Sequence, residues 1–278
     1  MILRNVKTSV ACILGGLLGL ALVLASSKAD AIAGRSRGLP RGHSHNDYEH
    51  ARPLRDAMDH GFSSVEADIY LVDGALLVAH DQGKVNPSRT LQALYLDPLY
   101  QRMTQVSRPP STEGNEFILL IDIKSEAEAT YQVLARLLTN YHRMLTAFRT
   151  NRTELGAVTI VLSGNRPRRI VESEPLRYVA IDGRIEDLAT PFSPHVLPLI
   201  SDNWTKHFSW RGSGPFPTDQ KKRLDEFVNQ AHARGARVRF WAAPDDPGGW
   251  KVLRQAGVDL LNTDHLPEME KFLQLPAP

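Results

Sequence analysis

The sequence predicts an α/β fold, a (β/α)8 TIM barrel built as a single domain behind an N-terminal signal peptide. Three observations carry that prediction. Short apolar runs alternate with longer amphipathic ones from end to end, which implies parallel strands joined by helical crossovers. Setting aside the first 31 of the 278 residues leaves 247, and about 250 residues is the usual size of such a barrel. Polar residues gather where the strand candidates end: Glu66 and Asp68, Asp122 and Lys124, Asp182, Asp202 and Asp264. That is the face on which barrels of this kind carry their chemistry.

The leader comes first. Arg4 and Lys7 precede an apolar run from Val10 to Ala25, and Ala29 and Ala31 give a small-residue cleavage pattern. We read residues 1–31 as a secretory signal and 32–278 as the barrel, hence an exported protein, periplasmic or extracellular. An uncleaved N-terminal membrane anchor is the alternative. Cys12 is the only cysteine and lies in the leader. Beyond residue 31 there is no disulfide, no thiol nucleophile and no sulfur ligand for a metal. The leader also holds the whole formal charge of +2 (Arg4, Lys7 and Lys28 against Asp30), so the remainder is neutral. A neutral domain argues against nucleic acid as a partner.

Strands are expected weakly at 39–44, then at 64–71, 117–124, 158–163, 177–182, 196–201, 238–243 and 258–263, which makes eight. The clearest helix is expected over 126–148, where Leu134, Leu137, Leu138, Tyr141, Leu145 and Phe148 follow helical spacing. Another runs from Thr218 to Arg234 with Gly235 as its cap, and a third over 247–257, again closed by glycine.

The chemistry concentrates early. GHSHNDYEH (42–50) packs three histidines, an aspartate and a glutamate into nine positions. Glu66-Ala67-Asp68 and Asp122-Ile123-Lys124 each place polar groups at i and i+2, on one face of a strand. If that face is the barrel interior, the three carboxylates converge. Such a set suits one hard divalent cation, Mg²⁺ or Ca²⁺, with Lys124 as a fixed charge for an anionic substrate. The plainer reading is a lysine–carboxylate network that ties strands together. Asp73-Gly74 reads as a two-residue hairpin turn that pairs Tyr70 with Leu77 and Ala67 with His80. In strict register His80 then faces away from Glu66 and Asp68, so a bulge, a longer loop or a departing strand is needed to turn it inward.

GHSHND, VEADIYLVDGALLVAHD and IDIK together resemble the glycerophosphodiester phosphodiesterase superfamily of phospholipase-C-like barrels, in particular the branch of the fungal altered inheritance of mitochondria protein six. The resemblance implies that Glu66, Asp68 and Asp122 hold one divalent metal, and that His80 is one of two acid–base histidines. His43 matches the other, with His45 as the second candidate. It implies phosphate contact by Asn46 and substrate contact by Lys124 and Trp241, although a core role for Trp241 is an open alternative. Ser44 stands where the main branch has arginine, and that branch's Pro-Glu-Asn-Thr segment is absent, which leaves the substrate open.

The implied activity is metal-dependent hydrolysis of a phosphodiester of glycerophosphodiester or phospholipid type, by way of a cyclic phosphate in some relatives. A monomer with peripheral membrane contact is expected. The rival readings are a silent barrel that binds a phosphorylated or lipid head group, and a glycosidase using two carboxylates. SGNRPRR adds Arg166, Arg168 and Arg169 after the fourth strand, either to hold a second phosphate or sulfate or as an ordinary solvated helix start.

Overall fold

The structure is a computed structural model that describes residues 41–105, 116–150 and 152–275. The leader and the first residues expected of the opening strand lie outside the described residues.

Eight parallel strands among the described residues form a barrel. They are β1 (Arg41–Ser44), β2 (Ser64–Val72), β3 (Phe117–Ile123), β4 (Val158–Gly164), β5 (Val179–Gly183), β6 (Leu199–Asn203), β7 (Arg237–Trp241) and β8 (Leu260–Thr263). The barrel closes because β1 pairs on both sides: with β8 from Arg41↔Leu260 to Ser44↔Thr263, and with β2 at Ser44↔Val65. The expected fold is therefore present, and all eight strand expectations fall on barrel strands.

Near-continuous Val, Ile and Leu runs form these strands because both faces are covered. Outward side chains such as Leu119, Ile121 and Ile160 join the large core beneath the helices. Inward, Ile118, Leu120, Val161, Leu199 and Leu260 form a separate small cluster. Burying each of these contributes roughly 1.5–3 kcal/mol as an upper bound. One step further along β3 the inward series passes from Leu120 to Asp122. Apolar filling thus ends where the polar mouth begins.

The helices use ordinary local signals. Glu126 caps the helix Ala127–Leu138 by accepting from Glu128 and Ala129 N–H (2.9 and 2.7 Å). Asp246 caps Pro247–Ala256, which ends on left-handed Gly257 (φ 86°). Thr218–Ala233 is followed by Gly235 (φ 78°).

The expectation of one helix over 126–148 is wrong in its second half. The α-helix stops at Leu138, a short 3₁₀ turn follows at Thr139–Tyr141, and Ala147–Arg149 is a strand. That strand pairs with Thr153–Glu154 and Leu176–Arg177 in a small antiparallel sheet. Thr139 Oγ1 donates to Arg136 O (2.7 Å), a local bond that competes with the next helical turn. Tyr141, Leu145 and Phe148 are buried as expected, but through a different backbone path. The small sheet also takes Leu176–Arg177, so β5 begins at Val179 rather than 177.

Candidate active site

The acidic triad assembles as its spacing implies. β2 sends Glu66 and Asp68 inward, and β3 sets Asp122 in register with Asp68. One carboxylate oxygen from each lies within 4.8 Å of the others. Asp68 Oδ2 is surrounded by donors, with Tyr48 Oη at 2.7 Å, Lys124 Nζ at 3.1 Å and His80 Nδ1 at 3.2 Å. Asp68 Oδ1, by contrast, is buried with no partner among the described residues. Lys124 also reaches Asp122 Oδ1 at 3.2 Å.

The electrostatics divide the triad. Burial would raise the pKa of Glu66, but the Arg239 guanidinium and the hydrogen bond from His43 hold it well below the usual range. Burial raises Asp68, and the charge of Glu66 adds to it. Asp122 is pushed up to about 6, chiefly by burial, against the pull of Lys124 and with repulsion from Glu66 and Asp68 adding to the rise. With Arg239 paired to Glu66, Asp68 and Asp122 have Lys124 alone to offset them, and Asp68 Oδ1 is buried without a partner among the described residues. Both features fit a hard divalent cation on Glu66, Asp68 and Asp122.

The histidines occupy three environments. His43, on the inner face of β1, has no solvent exposure. Its Nδ1 lies 2.7 Å from Ser64 Oγ and its Nε2 3.3 Å from Glu66 Oε2. Burial and the nearby Arg239 lower its pKa to about 3. A neutral ring with the proton on Nε2 donates to Glu66 and accepts from Ser64, which satisfies both nitrogens.

His45 lies just past β1, where its N–H donates to Thr263 O (3.0 Å). Its Nδ1 stands 2.9 Å from Asp264 Oδ1, and its Nε2 has no partner among the described residues. Burial works to lower its pKa, but the hydrogen bond to Asp264 and the charge of Glu66 outweigh it and leave it raised. Asp245 in turn accepts from Asp264 N–H (2.9 Å), so β7 and β8 both brace this ring.

His80 settles the register question. The hairpin pairs Tyr70 with Leu77 as expected, but its ladder ends at Ile69↔Val78. Ala79 N–H still donates to Asp68 O (3.2 Å). The chain then leaves the sheet, and the expected Ala67–His80 pair does not form. The departing chain turns the ring inward, with Nδ1 at Asp68 Oδ2 and 3.1 Å from Tyr48 Oη, while the side chain stays 53% exposed.

Tyr48, given no role from sequence, is the hub of the site. Its hydroxyl is 2.7 Å from Asp68 Oδ2 and 2.7 Å from Asn46 Oδ1. Asn46 Nδ2 lies 3.0 Å from His45 Nδ1, so one chain of contacts runs from His45 to His80. Asp47 braces the loop from beneath, wholly buried and accepting from Ser44 Oγ, Leu54 N–H and Tyr95 Oη (2.8, 2.6 and 2.9 Å). Arg239 was also missed. From the inner face of β7 its Nη2 bonds Glu66 Oε2 and its Nε donates to Asn262 Oδ1 (2.8 Å). An arginine inside the apolar VRFW run, two residues before Trp241, was the available signal.

Trp241 stands at the end of β7, half-buried, with the Arg184 guanidinium 4.9 Å from its ring centroid. It faces the mouth rather than the core. No hydrogen bond or ring contact among the described residues links it to the triad.

Residues 39–182 match the model of the AIM6-like phosphodiesterase domain, and residues 237–267 match that of the glycerophosphoryl diester phosphodiesterase family. The chain belongs to the AIM6-like phosphodiesterase family. The family match spans β1 to β5, and so includes the triad and all three histidines discussed here. Altered inheritance of mitochondria protein 6 of Eremothecium gossypii is 31% identical, over 87% of this chain and 72% of its own length. Its homolog in Arthroderma benhamiae is 28% identical, over 80% of each chain. The crystal structure of a glycerophosphodiester phosphodiesterase from Agrobacterium tumefaciens shares the fold at a TM-score of 0.51 and 14% identity, over 84% of this chain and 98% of that one.

Proposed function

We propose that this member of the family hydrolyses phosphodiesters with His45 and His80 as its acid–base pair. The supporting observation is a shared arrangement: each ring has Nδ1 against a carboxylate, Asp264 or Asp68, with Nε2 left to meet a reactant. A carboxylate at Nδ1 fixes the tautomer and steadies the charged ring. His43 lacks that freedom, because both its nitrogens are engaged and it is sealed from solvent. We assign it to positioning Glu66.

In this reading a divalent ion, Mg²⁺ or Ca²⁺, on Glu66, Asp68 and Asp122 supplies Lewis-acid stabilisation of the phosphate oxygens. Lys124, with 27% of its side chain exposed, adds a fixed positive charge at the same oxygens. Asn46, held by Tyr48, orients the phosphate. One histidine takes a proton from the nucleophile, either water or a hydroxyl adjacent to the phosphate, and the other delivers one to the leaving alkoxide. Each transfer is worth roughly 10²–10⁴-fold. Ser44 is buried and donates to Asp47, so it offers the substrate nothing where arginine stands in the main branch. The substrate class is accordingly a glycerophosphodiester or phospholipid-type diester with recognition drawn from elsewhere in the mouth.

The test uses the purified 32–278 protein on bis-p-nitrophenyl phosphate, glycerophosphodiesters and lysophospholipids. EDTA is added first, then Mg²⁺ or Ca²⁺. Cleavage lost on chelation and restored by one ion is expected. Activity on glycosides that survives EDTA, with no diester cleaved, would sink the reading.

A further inference from the structure

The mouth has a second, basic half that the proposed chemistry does not use. At the end of β5, Asp182 is fully buried and accepts from Ser163 Oγ (2.9 Å), Ser201 Oγ (2.5 Å) and Arg184 Nη1 (2.8 Å). Asp182 therefore anchors Arg184, whose other Nη lies 3.3 Å from Ser163 Oγ and whose plane covers Trp241. Arg166 enters from the end of β4. Its Nη1 donates to Gly164 O (3.1 Å), and its Nε is out of solvent with no partner. It makes no ion pair among the described residues.

The other arginines of SGNRPRR are accounted for differently. Arg168 binds Glu172 (2.7 Å) and Asp187 (2.5 Å), and Arg169 is exposed. Asp182 is bonded to Arg184, and its charge reaches Arg166 without a direct bond. Burial and the charge of Arg184 both pull the Arg166 pKa down, against Asp182 and Asp187. Asp182 is taken by Arg184 and Asp187 by Arg168, so Arg166 has no carboxylate bonded to it among the described residues.

This half adjoins the triad. Ser163 is in register with Asp122, and a Cβ on Gly164 would run into Asp122 Oδ1. From β3 to β5 is two strand spacings, roughly 10 Å.

We propose that Arg166 and Arg184 form an anion subsite backed by Trp241, and that the substrate carries a second anionic group roughly 10 Å from the scissile diester. The group is a phosphomonoester or a carboxylate, both of which match the planar guanidinium fork. Trp241 supplies a flat apolar wall for the segment between the two ends. The substrate half of this inference rests on the phosphodiesterase reading; the anion subsite does not.

Two measurements test it. The first compares kcat/KM for a p-nitrophenyl diester bearing a terminal phosphomonoester or carboxylate with that for the same diester bearing a neutral tail. The wild type favours the anionic tail, and Arg166→Gln lowers that ratio about tenfold to a hundredfold, the range for a lost hydrogen bond to a charged group. Arg166→Lys, which keeps the charge and loses the fork, falls between and guards against a folding failure in the glutamine variant. The second measurement titrates inorganic phosphate calorimetrically into EDTA-treated protein, where the bare carboxylates repel the anion. Wild type binds, and Arg166→Gln weakens binding by a similar factor. An unchanged ratio together with unchanged phosphate affinity in Arg166→Gln overturns the proposal. If no diester is cleaved but phosphate binding still depends on Arg166, the phosphodiesterase reading fails and the subsite stands.

Discussion

His45 Nδ1 and Asp264 Oδ1, separated by 219 positions in the chain, meet at 2.9 Å across the seam where β1 joins β8. Neither residue is oriented by its own strand alone. The barrel's closure creates the pair, and the pair leaves Nε2 without a partner among the described residues.

Asp264→Asn keeps the shape and removes the charge. Because the hydrogen bond to Asp264 helps raise the His45 pKa, its loss moves the His45 limb of the pH–rate profile to lower pH. Asp264 is half exposed, so the fall in kcat is expected at the modest end, about tenfold to a hundredfold. A pH–rate profile of both proteins checks this, and an unmoved limb would detach Asp264 from the chemistry.

The three histidines separate by what they damage. His45→Ala and His80→Ala are expected to lower kcat by roughly 10²–10⁴-fold, with His80→Ala leaving metal affinity nearly intact. His43→Ala instead strands Ser64 and Glu66 and costs about 1–3 kcal/mol of stability. Thermal melts beside steady-state rates decide the assignment. A normally stable but inactive His43→Ala protein would return the first catalytic role to His43.

Asp122 links pH to metal. Its folded-state pKa of about 6 lies above the usual value of 3.8, so the metal-free protein binds the extra proton more tightly when folded. Stability of the metal-free form therefore falls as pH rises from about 4 to about 6, and the loss persists at pH 7. Saturating Mg²⁺ or Ca²⁺ is expected to raise Tm at pH 7, by about 2.7 kcal/mol of stabilisation at a hundredfold excess over Kd. Asp122→Asn should raise Tm without metal and erase most of that increment. Calorimetry at pH 4, 6 and 7, with and without ion, reads all of these.

Arg239→Met removes the only arginine bonded to Glu66 among the described residues. An uncompensated buried charge of this kind is worth about 3–5 kcal/mol of destabilisation. Glu66 would also regain protons more easily, so metal affinity should weaken most on the acid side of neutrality. Denaturant midpoints and metal titrations at two pH values test both parts.

Much of this was legible in sequence because it is local. The i, i+2 spacing of Glu66 and Asp68 fixes a shared face once β2 is known, and Asp73-Gly74 fixes the Tyr70–Leu77 pair. The roles of Tyr48, Arg239 and Asp264 were not legible. Each depends on contacts across closed strands, and no period in the chain brings Tyr48 to Asp68 or Arg239 to Glu66. The helix beyond Leu138 misled for the opposite reason: Tyr141, Leu145 and Phe148 keep helical spacing and are buried, but in a turn and a strand.

The seam between β1 and β8 sets an order of events for a chain made from its N-terminus. Until residues near 260 emerge, β1 lacks its last neighbour and presents an open edge able to pair with other chains. Asp264 follows only after that edge is covered. The brace on His45 is thus among the last contacts the chain can make, and a product stopped short of β8 has the triad's residues but not that brace.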